Sequence, residues 1–311
     1  MSCGVNLKIA DTVILMRSDF PLARLSVEEQ KSQAAQRFCN FIYTGRQKPD
    51  ILIDIEIVDK LPEFSRAKPV FITYHFQDNS ENWRLLKQGS GYIYKCPLAD
   101  KRQIMVVNKT FDRVKAYLLP KKDKGKSWNI SDLIYDFLQV LLINYFARRK
   151  SGIFTHSVGI KDVDGSGLLF AGKSGAGKST TARLWHKHTK AMVLNDDRVI
   201  ARKVNGTFFI HGSPWHGEFS DYLLTRIESA PLKKIFFIYH SPKNTAALIP
   251  PGKAFNLLYP ALFPTFWDKE CLENIAAFCE DLVKHVSCYS LGFVNDKKVI
   301  GFIRKLEVKN V

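Results

Sequence analysis

The stretch FAGKSGAGKSTT, Phe170 to Thr181, constrains this chain more than any other. It follows the spacing GxxxxGK[ST], which is a geometric demand before it is a functional one. An apolar strand, GLLFAG, must end where the glycines begin, and a helix, KSTTARLWHKHTK, must start where they stop. Chance matches to the bare spacing arise in roughly one in a hundred chains of this length, so the strand and helix that flank it carry the argument. Gly172, Gly175 and Gly177 let backbone approach an anion, with Ser174 and Ala176 completing the loop. Successive N–H groups at the helix start, through Thr180, point at the same place. Lys178 adds a charge toward the outer phosphates, and Ser179 can set a hydroxyl on magnesium. A nucleotide with Mg is the expected cofactor.

Asp196 and Asp197 follow at the end of the short apolar strand AMVLNDD, one helix and one strand after Lys178. Most nucleotide-hydrolysing loops of this kind place their metal-binding carboxylate on a more distant strand. Two carboxylates beside a lysine and a metal can divide the labour, one holding magnesium and the other taking a proton from an acceptor hydroxyl. The competing reading is an exposed turn before Arg198. Further on, GSPWHGE offers Trp215, His216 and Glu218 for stacking, charge and hydrogen bonding to an acceptor, or else a tight loop around a packing tryptophan.

His156 on the preceding strand, GKSGAGKST and the NDD together resemble the HPr kinase/phosphorylase and phosphoenolpyruvate carboxykinase superfamily, most closely its HPr-kinase-like proteins. The likeness covers about Phe154 to Asp197 and extends more loosely to the end of the chain. It implies an α/β fold: a mixed-sheet, PEP-carboxykinase-like P-loop kinase core. It also implies phosphoryl transfer from ATP to an aliphatic hydroxyl, magnesium at Ser179 and Asp197, Asp196 as the base, and His156 beside them as a catalytic residue with Lys178. HPr kinases carry an arginine-glycine stretch roughly where this chain reads HGSPWHGEF, so the acceptor is left open between a small molecule and a peptide or protein. The alternative function is a nucleotide-binding regulatory or interaction protein without kinase activity.

The rest of the chain divides at a basic loop, KKDKGK at Lys121–Lys126. Residues 1–127 read as an N-terminal α/β region with a mainly antiparallel sheet, and 128–311 as the P-loop domain. Expected strands are Ile51–Val58, Val70–Phe76, Gly91–Cys96 and Gln103–Asn108, after a helix in VEEQKSQAAQRFCNFIY. Asp164-Gly165 and Asn205-Gly206 predict hairpins, KKIFFIYH a buried strand, and DKECLENIAAFCEDLVKHV an amphipathic helix. Phe263, Phe266 and Trp267, in LLYPALFPTFWD, read as core. Ile130 to Lys150 is long enough to span a membrane, but Asp132, Asp136 and Gln139 form a polar stripe, so a buried helix is expected. VILM at Val13–Met16 is too short for a signal core and the six cysteines form no C-x-x-C pair, so cytoplasm, reduced thiols and no membrane are expected. The net charge of +16 suits an enzyme of anionic nucleotides. The basic run lacks interleaved aromatics and helicase-like motifs are missing, so no nucleic acid is expected. A homo-oligomer is left open.

Overall fold

A computed structural model describes residues 3–19, 38–74, 79–95, 103–120, 130–217 and 227–308. The chain forms two compact units, Met1–Tyr145 with Phe266–Lys269, and Phe146–Thr265 with Glu270–Val311. The division expected at residue 127 falls later, because the chain passes between units inside the helix Ile130–Arg148 (α1). The basic loop Lys121–Lys126 lies outside the described residues.

The first unit holds an eight-stranded sheet in the order β1-β2-β3-β8-β7-β6-β5-β4. Its strands are Cys3–Ile9 (β1), Thr12–Ser18 (β2), Ile51–Ile57 (β3), Lys68–Tyr74 (β4), Glu81–Gln88 (β5), Gly91–Lys95 (β6), Gln103–Val107 (β7) and Arg113–Leu118 (β8). Neighbours run antiparallel except at β3, which is parallel to both β2 and β8. The sheet is therefore mixed. Along β3, Ile51, Ile53 and Ile55 are buried between less buried neighbours, the alternation of a sheet with one covered face. The helix expected in VEEQKSQAAQRFCNFIY lies largely outside the described residues.

In α1, Phe137, Leu138, Leu141, Leu142 and Phe146 are buried, and so is Gln139. The side chains of Asp132 and Asp136 lie outside the description. Among the described residues no helix is long and apolar enough to cross a membrane.

The second unit is built on Gly152–Lys161 (β9), Gly167–Ala171 (β10), Met192–Asn195 (β11), Arg198–Val204 (β12), Thr207–His211 (β13), Ser229–His240 (β14), Thr245–Leu248 (β15) and Ser287–Phe293 (β16). The order is β10-β9-β12-β13-β14-β16-β15, with β11 added on β9 and a second pairing of β10 with β14. Two long strands change partners along their length. β9 pairs with β12 over Gly152–His156, then with β10 and β11 toward Lys161. β14 pairs with β13 over Ser229–Pro231, then runs parallel to β10 and β16. Both predicted hairpins form, with Gly165 at φ 83° and Asn205 and Gly206 at φ 48° and 83°.

Helices Lys178–His188 (α2), Pro251–Leu258 (α3), Lys269–His285 (α4) and Lys298–Arg304 (α5) complete the described secondary structure of this part, with a 3-10 turn at Tyr259–Ala261. Alternate residues of β10 and β14 feed two apolar clusters, as period-two strands require. Leu169, Ala171, Ile235 and Phe237 join Ile275, Phe278 and Leu282 of α4. Leu168, Phe170, Phe236 and Ile238 join Trp185 of α2 and Ile300 of α5. Cys279 and Cys288 are buried free thiols whose pKa burial pushes up to about 12, so they stay protonated and inert.

Candidate functional site

β10 ends at Ala171 and α2 starts at Lys178, with Gly177 at the N-cap at φ 101° and Gly175 at φ 76°. These left-handed dihedrals suit glycine. A Cβ on Gly177 would also lie 2.7 Å from Phe293 Cζ. No side chain caps α2 and its first turn contains no acidic residue. The positive end of the helix dipole is therefore left to whatever the loop holds. Lys178 is buried, with Nζ donating to the carbonyls of Gly172 (2.9 Å) and Lys173 (3.2 Å). Burial lowers its pKa, and the charge of Asp197 partly opposes that shift. The ring nitrogen Nε2 of His240, at the end of β14, sits 2.7 Å from Gly175 O and ties that strand to the loop.

The strand pairing explains how the other groups reach the loop. Ser157 of β9 is opposite Ala171 of β10, and His156 beside it is opposite Arg198 of β12. His156 thus stands between the loop and the turn that carries the aspartates. Its Nδ1 lies 2.6 Å from Asp197 Oδ1, while Arg198 Nε donates to Asp197 Oδ2 at 3.1 Å. Burial pushes the Asp197 carboxyl up, but the hydrogen bond from His156 and the charge of Arg198 outweigh it and hold the group below the usual carboxylate range.

Asn195 sets that turn. It is 1% exposed, and its Oδ1 accepts from the backbone N–H of Asp197 (2.8 Å) and Arg198 (2.6 Å). Its Nδ2 donates to Ser213 O (3.0 Å) and Trp215 O (2.9 Å), which stitches the GSPWHG segment behind the carboxylates. Asp196 is 5% exposed and points into this stitched layer, where its Oδ1 accepts from Gly217 N–H at 2.8 Å.

A cavity of about 870 Å³ opens at the ends of β10 and β14. The expected residues Gly172, Ser174, Gly175, Ala176, His156 and Asp197 line it. Lys178, Ser179 and Thr180 form the first turn of α2 beneath the loop. Asp196 does not line the cavity, so the two carboxylates are not presented together. Trp215 is 1% exposed with its ring 5.9 Å from that of Phe154, and His216 is also buried, which leaves neither as a face for stacking an acceptor. Of the two readings of GSPWHGE, the described residues through Gly217 have the arrangement of a tight loop around a packing tryptophan. Glu218 lies outside the described residues.

The aromatic run expected to be core is split. Phe263 lines the cavity beneath the Arg198 guanidinium (4.9 Å), whereas Phe266 is 68% exposed and stacks on Phe71, and Trp267 Nε1 donates to Asn144 Oδ1. Sequence reasoning missed Asn195, Arg198 and His240 as parts of the site. The signal for Asn195 was a polar residue ending a buried strand, and for His240 its place at the carboxyl end of an apolar strand, where open α/β sheets put their ligands.

No family model matches the chain, and no curated protein matches it in sequence. The geometry alone defines the site: a glycine loop at a helix N-terminus facing an Asp–His pair across a cavity of ligand size.

Proposed function

We propose that this chain is an ATP-dependent phosphotransferase of the HPr-kinase-like type, acting on an alcohol group. The observation that carries the reading is the meeting of the phosphate-loop geometry and the His156–Asp197 pair in one cavity. A protein that only binds nucleotide has no use for a proton acceptor held beside the loop.

The backbone N–H groups of the loop and of the first turn of α2 would bind the phosphates, and Lys178 Nζ would exchange its two carbonyl partners for phosphate oxygen. Asp197 fixes the imidazole through Nδ1, leaving Nε2 to accept a proton from the alcohol. The alcohol oxygen bonds to the terminal phosphorus as the bond from phosphorus to its bridging oxygen breaks. The proton passes to His156, and a nucleoside diphosphate leaves. The base is thus assigned to the pair rather than to Asp196, whose carboxylate is turned away toward Gly217.

The donor chemistry fits magnesium: Ser179 hydroxyl and Asp197 carboxylate are hard oxygen ligands, and this ion takes few from protein and the rest from phosphate and water. When bound, it would neutralise phosphate charge.

The test is transfer from γ-labelled ATP with magnesium to a panel of alcohols and serine peptides, followed by mild acid treatment. An acid-stable phosphate ester is expected. Tight Mg-ATP binding with no transfer to any alcohol would instead support the nucleotide-binding regulator, and acid-labile label would exclude direct transfer to oxygen.

A further inference from the structure

The loop and the Asp–His pair account for only part of the cavity. Another part of its wall is Leu257, at the end of α3, followed by Pro260, Ala261, Leu262 and Phe263. This wall is fastened to the catalytic strand rather than lying loosely over it. Leu262 makes an isolated bridge to Thr155, and Phe263 N–H donates to Phe154 O at 3.1 Å, one and two residues before His156. Arg198, which also holds Asp197, covers the face of Phe263. Whatever touches these apolar side chains is therefore next to the proton acceptor. Asn256 is the polar side chain that this stretch of wall adds. Leu257 remains 43% exposed, an apolar surface that a ligand would take out of water.

From this placement we infer that Leu257 and Pro260–Phe263 form the acceptor subsite. The acceptor is then a small molecule carrying its hydroxyl on an apolar body, and not a serine on a folded protein. The inference rests on the phosphotransferase reading for the word acceptor, but the apolar subsite itself does not. A cavity of about 870 Å³ has the size of small-molecule sites, and their pattern is the same: mostly apolar walls with few polar groups that orient the ligand. A protein surface loop would bring solvated backbone against Leu262 and Phe263 and leave its polar groups without partners.

The test uses straight-chain primary alcohols from butanol to octanol as probes, with binding measured by calorimetry on the full chain loaded with Mg-ADP. Dissociation constants should fall by about fourfold for each added methylene, the value for burying one CH₂. Leu257→Asp changes an exposed position, so the fold should survive. It should flatten that dependence while Mg-ADP still binds. A dissociation constant independent of chain length, or a slope untouched by Leu257→Asp, would overturn the inference. So would displacement of Mg-ADP by the alcohols, which would make the wall a base site for the nucleotide. Transfer from labelled ATP to the same alcohols separates the two claims. Chain-length-dependent binding without transfer supports the subsite and refutes the kinase, and transfer indifferent to chain length does the reverse.

Discussion

Asn195→Asp is a change of one atom type, and the structure says what it should cost. The amide nitrogen of Asn195 serves Ser213 O and Trp215 O, and its oxygen serves the N–H groups of Asp197 and Arg198. A carboxylate keeps the second set and loses the first. Ser213 O would then face an oxygen instead of a donor, at about 1–3 kcal/mol for an unsatisfied buried group. Trp215 O would keep the Ser213 hydroxyl at 3.3 Å and lose less, for about 3 kcal/mol in all. For a domain of this size that corresponds to a fall in Tm of about 10 °C at neutral pH. The sign with pH is specific. Burial among carbonyls raises the folded pKa of the introduced carboxyl above its unfolded value, so folding takes up a proton. The deficit should be largest above the folded pKa and shrink as pH falls toward the unfolded one, where the neutral acid can donate again. Thermal melts of parent and variant between pH 5 and pH 8 read the difference directly. Equal Tm values throughout, or a deficit that grows on acidification, would refute the hydrogen-bond assignment of Asn195.

Lys178→Ala should lower phosphoryl transfer by at least about 100-fold, because its ammonium acts on ligand charge. Its Tm should fall only slightly, because the carbonyls it leaves belong to half-buried Gly172 and exposed Lys173, where water can replace the ammonium. Unchanged turnover would remove the loop from the mechanism. Asp197→Asn and His156→Gln should each cost at least about 100-fold in kcat, and only the former should also weaken Mg-ATP, which calorimetry separates. Asp196→Asn should cost less than either, since an amide oxygen can still accept from Gly217; a larger loss would return the base to Asp196. The depressed pKa of Asp197 stabilises the fold above the ordinary carboxylate range, a contribution lost as pH falls through the folded value. Asp197→Asn should therefore flatten the acid side of the Tm–pH curve, and an unchanged acid side would contradict the pairing with His156 and Arg198. Gly177→Ala meets both a left-handed φ and Phe293 at 2.7 Å, so Mg-ATP affinity should fall by at least about tenfold. Adding Phe293→Ala should recover only the steric part, and full recovery would mean the dihedral is not needed.

What was legible in the sequence was local. Asn205-Gly206 and Asp164-Gly165 announced their hairpins because φ above zero selects glycine and asparagine. The apolar spacing of Cys271, Ile275, Phe278 and Leu282 announced α4. The β1–β2 hairpin was missed because its turn places Ala10 and Asp11 at φ 47° and 56°, positions with no glycine to mark them. The parallel pairing of β3 and the change of partner along β9 and β14 are set by distant strands, so no local pattern could reveal them. In the site, the loop and the aspartates were visible as motifs, but their orientation was not. The sequence leaves Trp215 open between contact with an acceptor and packing, and its ring is covered by Phe154, whereas Phe263, expected as core, faces the cavity. A sequence shows that an aromatic is present; which of its faces is covered depends on packing.

The two aspartates show why adjacency in sequence is not equivalence in a site. Side chains of neighbouring residues leave an extended backbone on opposite sides, so a strand end cannot present both to the same cavity unless the turn twists one round. Here Asn195 locks the turn by accepting from the N–H groups of Asp197 and Arg198, and that lock fixes which carboxylate faces the loop. Asp197 then gathers His156 on one oxygen and Arg198 on the other, and Asp196 gathers Gly217 on the opposite side. A division of labour between the two carboxylates would require Asp196 to give up a buried hydrogen bond and the segment behind it to move. A division between Asp197 and His156 requires no such movement. If the proposed magnesium binds, it would take the Asp197 oxygen that Arg198 now holds, and the guanidinium would keep the face of Phe263 while His156 keeps the other oxygen. The geometry thus favours a base made of a histidine and its aspartate over a base made of a second aspartate.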